Sequence, residues 1–66
     1  MEREERIAYI NSQTAAMLAE LEGMKIANAE RANQNYAPAY DEKAFMDLPV
    51  RFGLSHNQVV SYLMGY

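Results

Sequence analysis

The chain has 66 residues, no cysteine and a formal net charge of −3, from nine acidic and six basic side chains. A chain of this length forms one small domain with a marginal core, and without cysteine no disulfide can stabilise it. We therefore expect association with further chains to supply stability. The acidic charge repels nucleic acid and anionic membranes, which disfavours both as partners.

The first six residues carry charges of both signs and precede a stretch interrupted by polar residues. A signal peptide requires a continuous apolar core, and a membrane-spanning helix requires roughly 18–20 apolar residues. Neither pattern is present, so we expect no export signal and no membrane partner. The lack of cysteine also fits a reducing compartment, and the predicted location is the cytoplasm.

Residues 2–34 predict one long helix, because straight-chain residues and alanine dominate the segment and Gly23 is its only helix breaker. Large apolar side chains recur at heptad spacing, which suits packing against a second helix. We expect these side chains to be divided between an internal core and a self-association seam: Ile7, Ile10, Met17, Leu21 and Met24. Small residues run beside them and would let another helix approach closely, although Gly23 could equally be a tolerated glycine or a bend.

Residues 35–40 predict an ordered loop, since asparagine and proline disfavour a continued helix. Tyr36 and Tyr40 carry large rings that gain by packing on the helices. Alternatively, the two tyrosines form a platform for a partner.

Residues 41–52 and 56–64 predict shorter helical segments. Asp41 is a suitable N-cap, and Pro49 either kinks the first segment or ends it and opens a new one. Gly53 stops this element. Ser55 and Gln58 have the spacing of a capping box, which predicts the start of the last helix. The expected fold is an all-α antiparallel helical hairpin, a long N-terminal helix with a broken C-terminal segment, assembled as a homo-oligomeric bundle.

The last two helical segments also have about the spacing of a helix-turn-helix. In that interpretation four residues would meet the major groove of DNA: Ser55, His56, Asn57 and Ser61. The segment after Ser55 contains no lysine or arginine, however, and phosphate contacts depend on such cations. A helix-turn-helix that only builds a compact core is the favoured alternative.

Catalytic groups are not expected. His56 is the single imidazole and no thiol is present, which excludes a cysteine–histidine nucleophile pair and zinc sites built from these residues. Three separated glycines form no phosphate loop. The sequence therefore predicts a protein that is not an enzyme and that has no catalytic, cofactor-binding or metal site.

The five methionines and seven aromatic residues favour a binding protein, because methionine adapts to irregular partners and tyrosine is frequent at interfaces. A homodimer interface could instead use all of them. The side chains that we expect to contact a partner are Tyr36, Tyr40, Met46, Met64 and Tyr66.

Three segments resemble, in their general sequence character, small early-region accessory proteins of lambda-like phages: LAELEGM at 18–24, ANAERAN at 27–33 and FGLSHNQ at 52–58. The resemblance carries no functional residue. It implies a bacterial cytoplasmic protein that modulates a host or phage process by binding another protein. The alternative function is a small DNA-binding regulator of helix-turn-helix type.

Overall fold

The computed structural model describes residues 2–65, and all regular secondary structure in this range is helical. The elements are α1 (Arg3–Asn33), α2 (Glu42–Met46), α3 (Leu48–Arg51) and α4 (His56–Met64). The expected all-α class is confirmed, with a long N-terminal helix and a shorter, bent C-terminal helical segment.

Helix α1 ends in a Schellman motif. Asn35 adopts a left-handed backbone with φ of 61°, a conformation in which asparagine is tolerated better than most residues. The Asn35 N–H donates to the Ala32 carbonyl at 3.0 Å, and the Tyr36 N–H donates to the Arg31 carbonyl at 2.8 Å. These bonds satisfy carbonyls at the end of α1 and turn the chain back along the helix.

At Pro49 the helical segment is broken into two helices and is not a single kinked helix. Asp41 caps α2 by accepting the Ala44 N–H at 2.9 Å, and α2 ends at Met46. A new helix, α3, begins at Leu48 with Pro49 in its first turn. Proline is tolerated there because the N–H groups of a first turn have no partner within the helix.

Helix α4 begins with the predicted capping box. The Ser55 hydroxyl accepts the Gln58 N–H, and the Gln58 side chain accepts the Ser55 N–H at 3.1 Å. Gly53, in the preceding turn, has φ of +72°, which explains why a glycine ends α3.

Polar side chains fasten the C-terminal half antiparallel to α1. Four residues at intervals of seven or eight along one side of α1 form these contacts, and we call them the polar ladder. The contacts join Arg6 to the Tyr62 carbonyl at 3.3 Å, Gln13 to the Phe52 carbonyl at 3.2 Å, Glu20 to Arg51 at 2.7 Å and Asn28 to the Tyr40 carbonyl at 2.9 Å. The side of α1 that bears the ladder is its covered face.

The core is thin. Among residues 2–65 only Met24 and Leu48 are buried, with 2% and 3% of their surface exposed. Three further residues of the predicted seam, Ile10, Met17 and Leu21, are half-buried on the covered face, whereas Ile7 is exposed. Four of the five seam residues therefore contribute to packing within one chain.

The molecule is long and narrow. Its Cα atoms extend over 49 × 18 × 10 Å, and their radius of gyration is 15.2 Å. A compact domain of this length has a radius of gyration of about 11 Å. No helix within residues 2–65 combines the length and the apolar character required to cross a membrane.

Asn28 is only half-buried but should contribute measurably to stability. Its side chain donates to the Tyr40 carbonyl at 2.9 Å and accepts the Tyr40 N–H at 3.0 Å, which fixes the loop onto α1. We expect Asn28→Ala to lower the free energy of unfolding by about 1–2 kcal/mol relative to Ser12→Ala. The Ser12 control gains a similar helix propensity from an exposed site of α1. Urea unfolding followed by circular dichroism measures the difference, and equal midpoints would contradict it.

Candidate protein-binding groove

An open groove lies between the N-terminal half of α1 and the α3–α4 unit, with a volume of about 720 Å³. Its lining is mainly apolar, with polar side chains along one wall. The lining residues are Tyr9, Ile10, Phe52, Gly53, Leu54, Asn57, Gln58, Ser61 and Tyr62.

Two tyrosines form the aromatic end of the groove. The Tyr9 and Tyr62 rings lie 5.2 Å apart between centroids and are tilted by 36°, a favourable arrangement for an aromatic pair. Arg6 holds this end of α4 by donating to the Tyr62 carbonyl, where a cation also interacts favourably with the helix C-terminus. Tyr9 itself remains exposed, so its ring is accessible to a binding partner.

The turn between α3 and α4 lines the groove through Phe52, Gly53 and Leu54. Gln13 donates to the Phe52 carbonyl at 3.2 Å, which ties this turn to α1. The Leu54 N–H donates to the Pro49 carbonyl at 2.7 Å and closes the turn. Phe52 and Leu54 are therefore held half-buried in fixed positions, where they offer an apolar surface.

Asn57 and Ser61 form the polar wall. They lie four residues apart on α4 and therefore project on the same side of the helix. Both are exposed, and within residues 2–65 neither side chain makes a hydrogen bond. Gln58 is partly engaged, since it completes the capping box and donates to the Val50 carbonyl at 3.5 Å. The Asn57 amide and the Ser61 hydroxyl can form hydrogen bonds with the backbone of a bound chain.

The four residues of the helix-turn-helix interpretation have different positions. Ser55 uses its hydroxyl as the cap of α4, and His56 is exposed outside the groove. Asn57 and Ser61 line the groove beside α1, so Tyr9 borders the face that would have to enter DNA. Arg51, the arginine that precedes α4 most closely in sequence, is paired with Glu20.

The residues that the sequence suggested for partner contact lie elsewhere. Tyr36, Tyr40, Met46 and Met64 are all exposed, but none lines the groove. The Tyr36 ring lies against the Arg31 guanidinium, 5.7 Å from its centroid, which gives it a packing role in the loop. Tyr66 lies outside the described residues.

Tyr9, Phe52 and Leu54 are not among the residues that the sequence predicts to contact a partner. The sequence signal that could have identified Tyr9 is an aromatic residue in α1 that lies outside the apolar seam.

The residues that line the groove offer apolar contacts and neutral hydrogen-bonding groups. Among residues 2–65, no three histidine or carboxylate side chains lie close enough to hold a metal ion.

The chain matches no protein-family model, and neither its sequence nor its fold matches a curated protein or a solved structure.

Proposed function

We propose that the protein is a small, non-enzymatic interaction module that binds an apolar segment of another protein in the groove. The observation that carries the proposal is the combination of accessible aromatic and apolar side chains with an amide and a hydroxyl, those of Asn57 and Ser61, that make no hydrogen bond within residues 2–65. Aromatic residues frequently dominate the binding energy of interfaces, and a few fixed polar groups orient the bound chain.

The shape of the groove suggests an extended segment with one anchor. Its volume of about 720 Å³ is sufficient for a large side chain and the adjoining backbone. The anchor would pack on Phe52 and Leu54, and the backbone would pair with Asn57 and Ser61. Because the groove is open to solvent, the bound segment can continue beyond it.

The proposed setting follows from the sequence resemblance to phage accessory proteins. In a bacterial cytoplasm, a module of this kind would modulate a host or phage process by occupying a surface of its target. DNA binding through α4 remains the alternative. The exposed polar residues of α4 support it, whereas the lack of a cation in that helix disfavours it.

Affinity capture from nuclease-treated bacterial lysate tests the proposal. Ser61→Arg places a long side chain in the groove from an exposed helical site, and Ala32→Arg adds the same charge to an exposed site on α1 away from the groove. We expect a specific protein to bind the wild type and the Ala32 variant at least tenfold better than the Ser61 variant. Equal capture by all three proteins would contradict binding in the groove.

The same experiment without nuclease tests the alternative. If all bound material disappears on nuclease treatment, DNA binding becomes the preferred function. Affinity for DNA should then fall steeply between low and physiological salt, and Asn57→Ala should weaken it. An apolar protein contact should change little with salt.

A further inference from the structure

A second apolar surface follows the side of α1 that faces away from the covered face. Ile7, Leu18 and Ile26 expose 40%, 50% and 57% of their surfaces there. At about 100° per residue, these three side chains fall within an arc of about 100° on the helix. We call this surface, with the alanines between its three large residues, the outward face.

Over most of its length, the outward face carries either no charge or a pair of opposite charges. Residues 7–19 contain no charged side chain. Further along, Glu22 and Lys25 pair with each other at 3.2 Å. A surface helix ordinarily presents charged residues opposite its core side, so this pattern indicates a second packing surface.

Nothing within the described chain covers this face. The polar ladder places α3, α4 and the loop on the opposite side of α1. At Gly23, beside the outward face, an added Cβ would meet no atom within 4 Å.

The exposed area of the molecule is larger than that of an average monomer of its mass. The folded chain exposes 5043 Å². An average folded monomer of 7.5 kDa exposes about 4,250 Å². The excess of about 800 Å² belongs to the whole elongated chain and is similar to the area that each partner contributes to an interface of standard size.

We infer that the outward face is a homodimer interface, in which α1 of one chain packs against α1 of a second copy. In a two-fold dimer the same patch meets itself, so a net charge on the patch would oppose association, and the outward face avoids this repulsion over most of its length. The alanines between Ile7, Leu18 and Ile26 allow the two helices to approach closely. Tyr9 lies on a different side of α1, so the dimer would keep both grooves open.

This interface differs from the seam that the sequence predicts. Ile10, Met17, Leu21 and Met24 are half-buried or buried on the covered face, and only Ile7 belongs to both sets. The inference is independent of the proposed function, because it involves neither Asn57 nor Ser61.

Sedimentation equilibrium over a range of protein concentrations tests the dimer. We expect the wild type to have the mass of two chains and the double variant Leu18→Glu, Ile26→Glu to have the mass of one chain with unchanged helicity. Val60→Glu is the control for an added carboxylate, since it places one glutamate at an exposed apolar site on α4 and should remain dimeric. A monomeric wild type at all concentrations, or a dimeric double variant, overturns the inference.

A milder variant keeps the test decisive if the double variant loses its fold. Leu18→Ala retains a high helix propensity and removes only exposed apolar surface. It should raise the dissociation constant of the dimer at least tenfold, and an unchanged constant contradicts the interface. Ser61→Arg should stay dimeric, so a failure of groove binding and a failure of dimerisation give different results.

Discussion

Replacing Leu48 by alanine should unfold a large fraction of the protein at 25 °C. Leu48 is 3% exposed and is one of the two buried side chains among residues 2–65. Leucine-to-alanine changes at buried sites cost about 2–5 kcal/mol, whereas a core of this size supplies at most about 3–5 kcal/mol. One substitution can therefore remove most of the free energy of unfolding.

The measurement is urea unfolding at a single protein concentration, followed by far-ultraviolet circular dichroism. Val50→Ala is the control, because Val50 lies two residues away in α3 and is 57% exposed. We expect the Val50 variant to stay within about 0.5 kcal/mol of the wild type. Equal unfolding midpoints for the two variants would show that Leu48 does not anchor the core.

The helix boundaries could be derived from the sequence because their signals are local. Asp41 and Ser55 are N-caps whose side chains meet backbone groups three residues later, and the structure contains both contacts. Asn35 and Gly53 adopt the left-handed backbone that ends a helix. Such motifs depend on a few neighbouring residues and little on the rest of the fold.

The choice of faces on α1 could not be derived in the same way. A heptad pattern states which residues share a side of the helix, but it does not state what covers that side. The polar ladder decides this point, since Gln13 and Glu20 meet partners more than thirty residues away. A glutamine and a glutamate in a helix give no local sign of such contacts.

The groove was missed for a related reason. Tyr9 and Tyr62 come together only when α4 has folded back along α1, and the two residues lie near opposite ends of the sequence. Pro49 contributes as well, because the break between α2 and α3 directs the following turn toward α1. A site assembled from distant segments requires the fold before its residues can be named.

Two variants, Leu21→Asp and Leu18→Asp, should distinguish the role of the covered face of α1 from that of the outward face. Leu21 is half-buried on the covered face, whereas Leu18 is exposed on the outward face. A carboxylate at Leu21 loses apolar burial and must be desolvated, a total cost of about 3 kcal/mol. We expect this variant to lose most of its helicity at every protein concentration.

Leu18→Asp should retain its helicity as a monomer, and its stability should no longer rise with protein concentration, because a dimer contact stabilises the chain by mass action. Circular dichroism and sedimentation of both variants over a hundredfold concentration range distinguish these effects. If Leu21→Asp keeps its helicity, melting behaviour and mass, neither the core packing nor a seam through this residue is correct. The pair therefore assigns each face of the same helix either to the fold of one chain or to the association of two.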